Sequence, residues 1–364
     1  MDTNSYFTVE ILTAGYVFIR INSATGTETP GTIYYWINSV PNAARNNYDG
    51  SIIPNGTAQY IKVNGSNPPV GTIIRLYRAE TTALCFGDGG DNGSYIQISG
   101  TAETKVSGNM ASLIGFSETI PAACFRYIFY NSNIIDAGEL DLPWTTLSQY
   151  CFARMFFSNK KLTKPPVLPA TSLADYCYYV MFRNCIKLEK ISDIKCETIN
   201  NNTAFYCMYQ LCSNLTKVHI KKFHFIDGGR FWGVFWGSGL IEATVDVYND
   251  EEIPANAYSQ LFTGCTNLSK VTCKATNFNS SAFNKWLNNV SSTGTFIKDK
   301  DTTWSEGTSG IPSGWTVKNM NQYTQSIDFN RMTSAFSKGN HSLSAIYGRG
   351  NVLLWGTAIN NYAT

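Results

Sequence analysis

Over the first hundred residues, short apolar stretches are separated by turn-rich joints. FTVEIL, YVFIRI, TIYYWI, AQYIKV, TIIRLYR and YIQIS are divided by ATGTETPG, NYDGSIIPNG, NGSNPPVG and FGDGGDNGS. Alternation of apolar and polar side chains predicts half-buried strands, and Gly, Asn and Pro supply the turns between them. Residues 1–105 therefore read as an antiparallel β-sandwich domain. The GDGGDNG joint lacks the Lys-Ser/Thr of a phosphate loop and the ligand register of an EF-hand, so it reads as a hairpin turn, with an adventitious cation site as the alternative.

From residue 124 the pattern changes to a repeat. CFARMFFSNKKLTK from Cys151, CYYVMFRNCIKLEK from Cys177, AFYCMYQLCSNLTK from Ala204 and AYSQLFTGCTNLSK from Ala257 align without a gap. Two weaker copies, CFRYIFYNSNI from Cys124 and RFWGVFWGSGL from Arg230, are each one residue short before the final apolar position. The starts at 124, 151, 177, 204, 230 and 257 give steps of 27, 26, 27, 26 and 27. One place after each start stands an aromatic (Phe125, Phe152, Tyr178, Phe205, Phe231, Tyr258). Four places on comes an aliphatic residue or Met, five places on another aromatic, and eight places on Ser, Asn or Cys. Positions one, four, five and eight share one face of a helix, so each unit is expected to hold a short helical or 3₁₀ turn with that face inward.

A short alternating run follows in LTKVHI from Leu215, LSKVTC from Leu268 and LEKISDI from Leu188, predicting a strand. One coil of this kind cannot bury its apolar face alone, whereas stacked coils can. The chain thus reads as a solenoid of about six coils.

The ten cysteines fall largely on this beat. Cys177 and Cys185 could be a redox pair, half of a metal site or part of the repeat core. The repeat reading is preferred, because Ala204, Arg230 and Ala257 stand where Cys177 stands, and Ser132, Asn159 and Ser238 where Cys185 stands. The opening MDTNSYFTVEILTAGYVFIRINS lacks the features of a secretory signal, so the thiols are expected to be reduced when the chain folds. The 28 basic and 26 acidic side chains nearly cancel, which argues against nucleic acid as a partner, and no window is apolar enough for membrane insertion. Histidines number only 3, and no nucleophile elbow, paired-histidine motif or dinucleotide fingerprint occurs; the reading is a non-enzyme with no cofactor and no metal.

The pattern aromatic, x, x, Cys, x, x, Leu, x, x, Val/Ile, together with VLPATSLADYCYYVMF from Val167, resembles the BspA-like class of leucine-rich repeats, in the variety found in virion proteins of Bacteroidales-infecting, crAss-like phages. KVSGNMASLIGF (105–116) resembles the entry to such arrays, and WLNNVSSTGTFIKD with GTSGIPSGWTV (286–317) their closing segment. The resemblance covers roughly residues 100–320 and implies binding rather than catalysis. The expected fold class is accordingly β-rich and multidomain. It comprises the N-terminal sandwich (1–105), a leucine-rich repeat (α/β) solenoid with capping segments (106–318), and a small C-terminal attachment or assembly segment (319–364). In the last, SIDFNRMTSAF suggests an amphipathic turn and NVLLWGTA a strand.

With the resemblance, the chain reads as a tail or head fibre component of a phage virion, made in the host cytoplasm. Its partners would be other virion proteins and a host cell-surface polysaccharide or protein, and fibres suggest a homotrimer by analogy. A secreted or surface bacterial adhesin and a purely structural virion subunit are the alternatives. Two columns are candidate ligand-binding sites. Lys164, Lys190, Lys217 and Lys270 stand two places after each leucine, interrupted by Glu242 and Asp136. In register their ammonium groups would lie about 5 Å apart and repel by about 0.8 kcal/mol per pair in water, so solvated strand flanks are the competing reading. Tyr179, Tyr206 and Trp232, with Trp236, lie just outside the buried aromatic face, where they either bind sugar or lid the core.

Overall fold

The computed structural model describes residues 5–22, 30–86, 94–200, 203–226, 228–320, 341–348 and 351–358. The protein is β-rich, with a sandwich-like arrangement near the N-terminus that leads into a β-solenoid of about five turns. The N-terminal strands are β1 (Phe7–Ile11), β2 (Val17–Asn22), β3 (Ile33–Ile37), β4 (Gly50–Ile52), β5 (Gln59–Tyr60), β6 (Ile73–Arg78), β7 (Cys85–Phe86), β8 (Ser94–Gly100) and β9 (Thr104–Asn109). Alternate residues of β1, β2 and β6 are buried, as the alternating sequence requires of strands that face one core. The GDGGDNG joint lies outside the described residues; β7 and β8, which flank it, pair antiparallel.

The sandwich also closes the near end of the solenoid. One sheet runs β10-β9-β1-β6-β3-β4, where β10 (Ile134–Asp141) pairs in parallel with β9 and belongs to the first repeat. The other runs β5-β2-β8-β7 and hydrogen-bonds the other wall: Ile98 donates to the Ile128 carbonyl at 2.8 Å and Leu84 to that of Cys124 at 3.0 Å. Phe7 stacks on Phe129 with centroids 5.6 Å apart. The sandwich thus occupies strand edges that would otherwise invite another chain. The apolar core is continuous from Phe7 to Trp315. β9 itself straddles the boundary read from the sequence at residue 105.

On the strand wall, the next elements are β11 (Thr198–Ile199), β12 (Lys217–Ile220), β13 (His224–Phe225), β14 (Glu242–Val245), β15 (Lys270–Cys273), β16 (Gly294–Lys298) and β17 (Trp315–Asn319). β12-β14-β15-β16-β17 form one parallel sheet, and β11 pairs with β13. LTKVHI and LSKVTC therefore supply strands as expected. LEKISDI does not: only Ile194 bridges to Leu168 there. The preceding copy reads LTKPPV, and Pro165 and Pro166 have no N–H to offer a ladder, so the strand wall is interrupted between β10 and β12. A two-stranded antiparallel hairpin, β18 (His341–Gly348) and β19 (Asn351–Ala358), follows. The strand expected at NVLLWGTA is β19; SIDFNRMTSAF lies outside the described residues.

The opposite wall corrects the helical reading. Positions one, four, five and eight do point inward, but the backbone is a spiral of turns in which every fourth residue has positive φ. Columns three and seven carry it throughout: Tyr127 and Asn131, Arg154 and Ser158, Val180 and Asn184, Cys207 and Leu211, Gly233 and Gly237, Gln260 and Gly264. The N–H groups then alternate in use. Those of Phe125, Tyr127, Phe129 and Asn131 donate to Cys151, Ala153, Met155 and Phe157 on the next turn at 2.8–3.2 Å, while Ile128, Tyr130 and Ser132 donate three residues back along their own turn. Each non-glycine left-handed residue costs roughly 1–2 kcal/mol. The ladder and the stacked rings offset this. Phe156, Phe182, Tyr209 and Phe235 stack at 5.2–5.6 Å with planes within 8°, each such pair contributing about 0.5–1.5 kcal/mol beyond burial.

Candidate recognition surfaces of the solenoid

The two candidate columns lie on different walls. On the strand wall, parallel pairing places Glu242 beside both Lys217 and Lys270. Lys270 Nζ is 2.5 Å and Lys217 Nζ 3.6 Å from the Glu242 carboxylate, and Lys164 Nζ is 2.8 Å from Asp136 Oδ2. The acidic interruptions are thus the counter-ions of the stripe, and for three of its four lysines attraction to a carboxylate replaces the expected repulsion. The hydrogen bond from Lys270 holds the Glu242 carboxyl below its usual range. Lys190 is exposed and makes no ion pair among the described residues. With Lys164 and Asp136 it borders an open groove of about 630 Å³ floored by Pro165, Pro166 and Val167.

A second charged cluster that sequence reasoning missed sits beside it. His219 Nε2 is 2.8 Å from Asp246 Oδ2, and Lys274 Nζ approaches Asp246 Oδ1 at 2.8 Å without the alignment of a hydrogen bond. Burial alone would raise the Asp246 carboxyl, but Lys274 and His219 together hold it below the usual carboxylate range. Only the registers of β12 and β15 against β14 bring these residues together. Among the described residues, no group of three or more His, Cys, Asp or Glu is arranged to hold a metal ion.

On the turn wall the aromatic column forms one half-buried ladder. Tyr179 and Tyr206 have centroids 5.4 Å apart, Tyr206 and Trp232 lie 4.3 Å apart with planes within 5°, and Trp232 meets Trp236 at 5.7 Å and 58°. Upstream, Tyr150 and Tyr176 stack at 4.6 Å, and Tyr176 meets Tyr179 edge-on. The Arg154 guanidinium lies between Tyr127 and Tyr179, 5.2 and 5.1 Å from their centroids. Because Tyr206 and Trp232 cover each other's faces, this part of the ladder offers edges and polar tips to solvent. Trp236, tilted out of the stack, rests near Gly264, where a methyl group would come within 3.3 Å of its Cδ1.

The cysteines are core residues. Nine of the ten are buried, Cys177 and Cys185 among them. Burial raises the thiols of Cys151, Cys177, Cys185, Cys196, Cys207 and Cys273, and those of Cys212 and Cys265 to about 12, so these are poor nucleophiles at neutral pH. The column at position eight has a use the sequence did not disclose. Cys185, Cys212 and Cys265 point their Sγ at the carbonyls of Phe156, Phe182 and Phe235 at 3.0–3.2 Å, and Ser238 Oγ donates to Tyr209 O at 2.5 Å. In these four turns a small side chain with one donor ties the turn to the one before it. Among the described residues no helix is long and apolar enough to cross a membrane. Compared with known proteins, the chain matches no family model, no curated protein and no solved structure.

Proposed function

We propose that this chain is a binding protein of a phage virion, a tail or head fibre component that contacts the host surface through its solenoid. In this reading the solenoid is a six-coil leucine-rich repeat array of BspA-like type, and the role is recognition rather than catalysis. The supporting observation is the aromatic ladder Tyr179, Tyr206, Trp232 and Trp236. It is a continuous, half-exposed row of large rings that already has its rotamers fixed by stacking, so binding through it loses little side-chain entropy. The lysine column supports recognition less, because three of its four members hold internal carboxylates.

That internal pairing favours one second reading, a structural virion subunit whose strand wall needs no external anion. The deciding experiment is a pull-down of the full chain against intact candidate host cells and their extracted surface polysaccharide. Saturable capture by either supports the recognition reading. No capture by either, together with binding to other virion proteins, supports the structural one.

A further inference from the structure

A cavity of about 210 Å³ is lined by the third, fourth and fifth repeats, where the interrupted strand wall meets β12. Its cause is local. Ring stacking along the first aromatic column holds planes within 30° from Phe125 to Phe205, but Phe205 meets Phe231 at 72°, and both rings line the cavity. β12 is the edge of its sheet, and no backbone hydrogen bond joins Lys217 or His219 to residues 188–192 among the described residues.

The lining is apolar, with Ile191, Met208, Ile220 and Val234 completing the walls around the two rings. Its polar groups are few and differ in kind. Ser192 is 4% exposed; its N–H donates to Tyr209 Oη at 2.9 Å, and its Oγ lies near the same hydroxyl without the geometry of a hydrogen bond. A buried hydroxyl so placed has hydrogen-bonding capacity left over, which a ligand with a matching group would use. At the exposed end, Asp193 is paired with Lys195 and His219 with Asp246. Lys221 makes no ion pair there among the described residues; its Nζ lies 5.3 Å from the Phe223 ring centroid.

Volume sets the size of the guest. An apolar cavity of roughly 150 Å³ accommodates benzene, so this one holds a single six-membered ring with a few further heavy atoms, well below the space a drug-sized ligand needs. We infer that the cavity is a binding site for a small monocyclic aryl carboxylate, with the ring among Phe205, Phe231 and Met208, a ring hydroxyl or carbonyl at Ser192 Oγ, and the carboxylate at Lys221.

The test is titration of the full chain with 4-hydroxyphenylacetate and with uncharged 4-methylphenol, followed by calorimetry and ligand-observed NMR. Both probes are expected to saturate one site, with the carboxylate about tenfold tighter. Lys221→Gln, a surface change, is expected to remove that tenfold preference and leave 4-methylphenol binding intact. Ile220→Phe is expected to fill the space and abolish both. Absence of saturable binding to the native chain overturns the inference, as does binding that Ile220→Phe leaves intact. A carboxylate preference that survives Lys221→Gln overturns the role given to that lysine.

Discussion

Replacing Gly264 with alanine distinguishes the turn spiral from the helical turn that the spacing of inward residues suggests, because the two backbones predict opposite signs. In a helical wall, Gly→Ala stabilises by about 0.8–1 kcal/mol. Here Gly264 has φ of +73°, and an added Cβ would meet Trp236 Cδ1 at 3.3 Å. An L-residue in that region costs roughly 1–2 kcal/mol, and the ring must shift by a few tenths of an ångström. The entropy gained by restricting the unfolded chain offsets part of this, so a net loss of about 1 kcal/mol is expected. Leu211 supplies the reciprocal control. It occupies the same column at φ of 61° and is 41% exposed, so Leu211→Asn is expected to be neutral or stabilising, since Asn tolerates this conformation. Equilibrium urea unfolding followed by tryptophan fluorescence reads both variants. A Gly264→Ala protein as stable as the parent, or more so, refutes the spiral.

Other consequences are equally direct. Gly239→Ala would place a methyl 1.8 Å from the Ser213 carbonyl oxygen, a backbone contact that cannot move aside; a loss of at least about 2 kcal/mol is expected in the same urea assay. Ellman's reagent at pH 8 is expected to leave the nine buried thiols unmodified in the native protein and to titrate all ten cysteines in urea; rapid native labelling of several would contradict their burial. The Asp246 and Glu242 carboxyls are held below their ordinary values of 3.8 and 4.5. A depressed folded value contributes stability above the unfolded one, so this contribution is present at neutral pH and is lost as pH falls below about 4.5 through the folded values. Asp246→Asn should flatten the acid side of the thermal-midpoint profile, and an unchanged slope would show that the pair carries no such linkage.

The repeat was legible because its inward columns admit so few residue types: Phe125 to Tyr258 in one, Phe129 to Phe262 in the other. The backbone that carries them was not. Residues one, four, five and eight lie together on a helix of 3.6 residues per turn and equally on a spiral with a four-residue period, and one turn is too short for the two to diverge. The discriminating signal was in column seven, where Asn131, Ser158, Asn184, Leu211, Gly237 and Gly264 stand. Asn and Gly are the residues that accept positive φ most readily, and only Leu211 departs clearly from that preference.

The pairing of these charges was hidden for a related reason. Lys217, Glu242 and Lys270 are far apart in sequence, and only the parallel register of β12, β14 and β15 turns a row of like charges into a bridged one. The strand predicted at LEKISDI failed because it needs a neighbour, and the neighbour holds Pro165 and Pro166. The cavity at Ser192 follows from that interruption and from the turned ring of Phe231, and no local pattern announces it.

The proposal that the solenoid recognises a host surface through its aromatic ladder is tested most directly by host-cell binding of the full chain and of its Tyr206→Ala/Trp232→Ala variant, with Lys190→Ala/Lys217→Ala for comparison. The ladder variant is expected to bind at least about tenfold more weakly while keeping a cooperative unfolding transition, and the lysine variant to lose less than about threefold. Undiminished binding by a folded ladder variant would contradict the account and move recognition away from this wall.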